Sequence, residues 1–185
     1  MESEAICYPI GATDLDGIVA FAKANKVDYA VVAPDDPLVL GCVDRLNELG
    51  IPCFGPKANA AIIEGSKAFS KDLMKKYGIP TAAYEIFTEL PKALEYLKTC
   101  PIPTVVKADG LALGKGVIIA QTYEEAVEAV TDMMANAKFG ASGTTVVIEE
   151  FLEGPEVSVL SFTDGHCVKP MVSSMDHKRA RDNDQ

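Results

Sequence analysis

Between positions 104 and 117 the chain reads Thr-Val-Val-Lys-Ala-Asp-Gly-Leu-Ala-Leu-Gly-Lys-Gly-Val. An apolar strand thus delivers Lys107 into a loop that holds Gly110, Gly114 and Gly116 and a second lysine, Lys115. These residue types suit a polyphosphate. Glycines let backbone N–H groups converge on anionic oxygens, and lysines add point charges. The spacing is not that of a P-loop, because Val117, Ile118 and Ile119 resume a strand where a P-loop would open a helix. The segment taken alone also fits an ordinary glycine-rich hairpin with solvated lysines.

A second stretch, 146–156, is an apolar strand that breaks at Gly154-Pro155 and resumes as Val157 to Phe162, a hinge between two layers. Where a strand ends in Phe151-Leu152, its free backbone groups can pair with the edge of a flat heterocycle. The Glu156 carboxylate can then accept from sugar hydroxyls, or it is a solvated turn residue. Lys67 follows Ser66, an N-cap candidate. A lysine in a first turn sits on the unfavourable side of the helix dipole and hints at a shared anion, with a solvated lysine as the alternative. Pro34 to Pro37 falls at the carboxyl end of a strand, where open α/β sheets place ligands, though Pro37 also suits a plain helix start.

Those side chains need elements to hold them. The periodicity predicts helices over Asp14–Ala24 and Pro37–Leu49, the latter stopped by Gly50, with short apolar strands Tyr29–Ala33 and Ile51–Phe54. Strands alternating with helices imply a parallel sheet. From Ser66 a helix runs to Tyr77 with Gly78 as its stop. Strand Tyr84–Thr88, helix Pro91–Thr99, strands Thr104–Ala108 and Val117–Gln121, and helix Tyr123–Asn136 follow, the last opened by a Thr122/Glu125 capping box. Residues 157–172 alternate as a hairpin about Asp164-Gly165, which puts His166 at the surface. The fold class expected is α/β and α+β: a parallel-sheet remnant over 1–65, a small lid with its leading helix over 66–156, and the start of a further subdomain over 157–185.

With 185 residues, 48% of them hydrophobic and 24% charged, the chain can bury a core and is not of disordered composition. A net charge of −10 with 17 scattered Lys and Arg speaks against general nucleic-acid binding, which needs a basic face. No apolar run approaches a membrane span and Met1 is followed by acidic residues, so cytoplasm is the expected compartment. The five cysteines, at 7, 42, 53, 100 and 167, form no Cys-x-x-Cys pair and read as reduced. Cys42, Cys53 and Cys167 are expected to act as small buried hydrophobes.

Taken in order, Pro34-Asp35-Asp36-Pro37-Leu38-Val39 with Gly41, Gly55-Pro56, Glu64-Gly65-Ser66-Lys67-Ala68-Phe69, Tyr77-Gly78-Ile79-Pro80-Thr81-Ala82, Val106-Lys107-Ala108-Asp109-Gly110-Leu111-Ala112, Gly114-Lys115-Gly116-Val117, Ile148-Glu149-Glu150-Phe151-Leu152 and Asp176-His177-Lys178-Arg179 resemble the ATP-grasp superfamily. Within it they are closest to the glycinamide ribonucleotide synthetase family. The resemblance covers nearly the whole chain, and it makes the chain an internal piece, since the family has an opening strand before residue 1 and a long continuation after Gln185. It implies an ATP-dependent carboxylate-amine ligase of purine biosynthesis that joins glycine to 5-phosphoribosylamine through a glycyl phosphate.

By that resemblance Lys67, Lys107, Gly114, Lys115, Gly116, Glu149, Phe151, Leu152 and Glu156 bind ATP. Asp36, Pro37, Leu38, Asp176 and His177 bind substrate, and Lys178 and Arg179 serve catalysis, although residues 176–185 also read as a solvated charged tail. Magnesium or manganese is implied, with its ligands beyond Gln185 and none in this chain. Catalysis by these residues alone is not expected. The alternatives are another ATP-grasp carboxylate-amine ligase, against which the Asp176–Arg179 and Pro34–Leu38 motifs speak, a non-catalytic nucleotide-binding module, and an α/β fragment with no ligand.

Overall fold

The computed structural model describes residues 4–110, 116–136 and 144–175. Seven helices and eight strands lie among them, and the chain divides into two compact units, Met1–Phe151 and Leu152–Gln185. The architecture is mixed α/β. In the first unit, strands β1 (Ala30–Val31) and β2 (Cys53–Phe54) pair in parallel. Around them lie helices α1 (Leu15–Ala24), α2 (Asp35–Val39), α3 (Cys42–Glu48) and α4 (Ala58–Gly65). Ala22, Val32, Leu38, Cys42, Val43, Leu46, Ile51 and Ala61 form their common core.

The single helix expected over Pro37–Leu49 is two helices. Gly41 between them has φ +88°, a left-handed geometry that an L side chain resists and glycine adopts freely, so the chain turns there and restarts. Helix α4 was not foreseen, because its cap comes from far along the chain. Lys57 at its N-cap offers no side-chain bond; instead the Asp44 carboxylate accepts from Ala58 N–H at 2.8 Å.

Helix α5 (Lys67–Tyr77) begins as its residues predict, with the Ser66 hydroxyl accepting from Phe69 N–H at 3.1 Å and Gly78 at the C-cap. Strands β3 (Tyr84–Phe87), β4 (Thr104–Ala108), β5 (Val117–Ala120) and β6 (Val146–Glu150) build an antiparallel sheet in the order β3-β6-β4-β5. Helices α6 (Leu90–Leu97) and α7 (Tyr123–Met134) cover one face of it. In α7 the buried residues Ala126, Ala129, Val130 and Met133 recur at helical spacing, and they meet Val106 and Ile148, which are 0% and 1% exposed. Thr122 and Glu125 make the expected capping box: Thr122 Oγ1 accepts from Glu125 N–H, and Glu125 Oε2 from Gln121 N–H.

Alternation then fixes the other face. Val106 and Ile148 are cross-strand partners pointing toward the helices, so their neighbours Lys107 and Glu149 point away. Glu149 stands opposite Val105 on one side and Tyr84 on the other, which makes Lys107 its diagonal neighbour, within reach of a long side chain.

In the second unit, β7 (Ser161–Thr163) and β8 (Val168–Pro170) form the hairpin about Asp164-Gly165, and Ser158 and Ser174 make a further bridge. The strand expected over Val157–Phe162 is therefore shorter. The Asp164 carboxylate accepts from the N–H of His166 and Cys167, and these two bonds hold its pKa down. His166 is exposed as expected. Cys167 is exposed too, contrary to the burial expected of it, because every described residue of 152–175 except Ser158 is exposed. Cys42 is buried, Cys53 is half-buried, and all five cysteines are free thiols. No helix among the described residues is long and apolar enough to cross a membrane.

Candidate functional site

The face of the sheet opposite α6 and α7 carries the chemistry. Glu149 is 5% exposed, and a single oxygen, Oε2, accepts from Lys107 Nζ at 2.9 Å and forms an ion pair with Lys71 Nζ at 3.0 Å. Its other oxygen, Oε1, is buried and has no hydrogen-bond partner among the described residues. Burying a carboxylate is costly unless it is paired, and two ammonium groups pair this one.

A bond network ties α5 to the end of β4. The Ser66 hydroxyl lies 3.1 Å from both Asp109 oxygens, and Asp109 Oδ1 accepts from Ala68 N–H at 3.0 Å. A carboxylate is thus seated on the first turn of α5, where the helix dipole favours it. Lys67, beside it, donates to the Gly110 carbonyl at 2.8 Å. Burial pushes the Lys67 ammonium pKa below its ordinary 10.5, and Lys107 pushes the same way, while Asp109, Glu64 and Glu149 push back.

Lys67, Lys71, Lys107, Glu64 and Glu149 line one cavity of about 240 Å³ with Ile63, Ser70 and Met74. Their formal charges sum to +1, three lysines against two carboxylates, in a chain whose net charge is −10. A second cavity of about 410 Å³ runs past Phe151, Thr104, Cys100, Glu149 and Glu150. Glu149 borders both.

Of the residues singled out from sequence, Lys67, Lys107 and Glu149 meet in one cavity and Phe151 borders the other. Gly116 is buried, and its carbonyl accepts from Ala108 N–H at 2.8 Å, closing the β4–β5 ladder. Gly114, Lys115, Asp176, His177, Lys178 and Arg179 lie outside the described residues. Leu152 and Glu156 belong to the second unit and are exposed. Asp36 is half-buried in α2, Pro37 lines an apolar cavity of about 190 Å³ beside β1, and Leu38 is part of the core around β1 and β2. Sequence reasoning missed Lys71, Ser66 as a donor to Asp109, and Asp109 itself. The signal for Lys71 was its spacing of four from Lys67, which puts both on one helix face.

Two family models together match the entire length: the N domain of phosphoribosylglycinamide synthetase over residues 1–64, and its ATP-grasp (A) domain over residues 65–185. The chain belongs to the phosphoribosylglycinamide synthetase family. A relative from Halalkalibacterium halodurans named phosphoribosylamine–glycine ligase is 51% identical over 185 residues, 100% of this chain and 43% of the relative. One of the same name from Vibrio vulnificus is 53% identical over 175 residues, 95% of this chain and 41% of the relative. The crystal structure of phosphoribosylamine–glycine ligase from Thermotoga maritima superposes with a TM-score of 0.76 at 34% identity, covering 88% of this chain and 40% of that one. The chain thus spans about two-fifths of the length of these members of the phosphoribosylglycinamide synthetase family. Their ATP-grasp domain corresponds to the part of this chain that contains Lys67, Lys107 and Glu149.

Proposed function

We propose that Lys67 and Lys107 hold the phosphates of ATP in the cavity they share with Glu149. The whole protein then uses that ATP to join glycine to 5-phosphoribosylamine, giving glycinamide ribonucleotide, ADP and phosphate. The observation that carries the reading is the meeting of two ammonium groups, each with one hydrogen-bond acceptor among the described residues, at a glycine-bearing strand end, inside an acidic chain. A carboxylate is a poor electrophile. Transfer of a phosphoryl group from ATP converts glycine to glycyl phosphate, and the amine of 5-phosphoribosylamine then displaces phosphate to form the amide. Positioned cations that neutralise charge on the transferring phosphoryl supply most of such an acceleration.

Lys67 is suited to this because burial has raised the cost of its charge, so an anionic partner is worth more to it than to a solvated lysine. Gly114, Lys115 and Gly116 also bind the ATP. Phe151 and Leu152 present backbone groups to adenine, and Glu156 accepts from the ribose. Asp36, Pro37, Leu38, Asp176 and His177 serve the acceptor substrate, and Lys178 and Arg179 serve the transferring phosphoryl. The proposed division is 1–65, 66–156 and 157–185, and the proposed compartment is the cytoplasm. The family implies a divalent metal, but among the described residues no group of three or more His, Cys, Asp and Glu side chains is placed to hold one. No residue is assigned to hold it.

The test is calorimetry of ATP binding to the whole protein, followed by phosphate release with glycine and 5-phosphoribosylamine. Binding, and release that requires both substrates, is the expected result. No binding would remove the reading, and release with a different acceptor pair would move the protein to another ATP-grasp ligase.

A further inference from the structure

The cavity contains a third lysine to which phosphate binding gives no task. Lys71 is 7% exposed, deeper than either of its neighbours Lys67 and Lys107. An ammonium has three N–H donors and no acceptor. Thr81 Oγ1 at 2.8 Å and the Ala82 carbonyl at 3.4 Å accept from it, and Glu149 Oε2 forms an ion pair with it at 3.0 Å. The Tyr84 ring centroid lies 5.5 Å from Nζ. Lys71 is therefore held on three sides by groups of the protein itself. Lys107 is placed differently: its side chain is 27% exposed, and among the described residues its acceptor is Glu149 Oε2 alone, at 2.9 Å.

Charge counting shows what this arrangement does. Glu149 with Lys71 and Lys107 carries −1 + 2 = +1. Without Lys71 the group is neutral and the carboxylate belongs to Lys107 alone, with Oε1, which has no partner among the described residues, also able to engage it. We propose that Lys71 is a positioning residue that holds Glu149 Oε2 in place and shares it, so that Lys107 keeps a net positive charge and free donors for a polyphosphate. This inference rests on the ATP reading above. A purely structural Lys71 would affect stability and would treat all ligands of the cavity alike. A charge-dividing Lys71 affects phosphate recognition in particular.

The test is calorimetry on the whole protein with ATP and with adenosine, read as the ratio of the two affinities so that any loss in base binding cancels. Wild-type binding of ATP checks the ATP reading itself; failure there overturns that reading and this inference together, whereas failure confined to the variants counts against Lys71 alone. Lys71→Met lowers the ATP-to-adenosine ratio roughly tenfold, the size of one charge removed at a partly screened distance. Adding Glu149→Gln restores the net charge of +1 and returns the ratio most of the way to wild type, and Lys71→Arg, which keeps the charge, also stays near wild type. A folded Lys71→Met protein with an unchanged ratio overturns the proposal, as does a double variant that recovers nothing. Should Lys71→Met alone fail to fold, the double variant and Lys71→Arg decide: ratios near wild type in both support the proposal, and a tenfold loss in the double variant overturns it.

Discussion

Two lysines of the cavity differ in how they hold their charge, and each difference can be measured. Lys107 donates one N–H to Glu149, its one acceptor among the described residues. Replacing it with Met removes at least one charge-assisted hydrogen bond to ATP, a loss of about 1.5 to 3 kcal/mol, or roughly ten- to a hundredfold in affinity by calorimetry. Lys71 still pairs Glu149 in that variant, so the fold is retained. Lys67 has a depressed pKa caused first by burial, so between that depressed value and 10.5 the folded chain binds fewer protons than the unfolded chain. Its contribution to stability therefore rises with pH through this window, and is at its least favourable below the depressed value, where the buried ammonium is fully charged. A bound polyphosphate pulls the pKa back up. ATP binding at alkaline pH accordingly takes up protons, seen as a buffer-dependent binding enthalpy, and Lys67→Met abolishes that uptake.

At the scale of elements, the packing around β1 and β2 depends on close approach. A Cβ built on Gly55, which has φ +146°, would stand 3.0 Å from both the Val32 carbonyl oxygen and Leu38 Cδ2. One of those atoms is backbone and cannot turn aside. Gly41 has φ +88° but only ordinary contacts, at 3.7 and 3.8 Å. Gly41→Ala therefore costs the left-handed penalty alone, about 1 kcal/mol, while Gly55→Ala adds overpacking for a total of about 3 kcal/mol. Urea denaturation separates the two: both midpoints fall, Gly55→Ala by the larger amount, with the slope unchanged. Equal shifts would mean that the core around β2 gives way more easily than its contacts indicate.

At the scale of the molecule, the two units differ in what holds them. The first has two hydrophobic cores and a four-stranded sheet whose central strand β4 buries Thr104, Val106 and Ala108 on one face. The described part of the second has a hairpin whose apolar side chains Val159, Leu160, Phe162 and Val168 are all exposed. Hydrogen exchange follows this division. Amides of Val106 and Ile148 exchange through the rarest openings, and those of 157–172 exchange about a hundredfold faster or more, because few buried contacts oppose their opening. Comparable protection across both units, read by mass spectrometry, would show that the second unit is stabilised by something other than its own packing.

Local chemistry made much of this legible in the sequence. The start of α5 at Ser66, the capping box before α7, the hairpin at Asp164-Gly165 and the strands on either side of the Lys107 loop each depend on residues a few positions apart, and short-range bonds decide them. The ordered motifs also pointed to the family to which the chain belongs. What needed the tertiary structure involves partners far apart along the chain. Helix α4 is capped by Asp44, fourteen residues away. Asp109 reaches α5 across more than forty positions, and Glu149 is shared by Lys107 and by Lys71, which is more distant still in sequence. A carboxylate buried between two lysines leaves no local pattern. Its pairing exists only once the register of β4 on β6 and the seat of α5 bring the three charges to one point, and burial then makes that pairing obligatory.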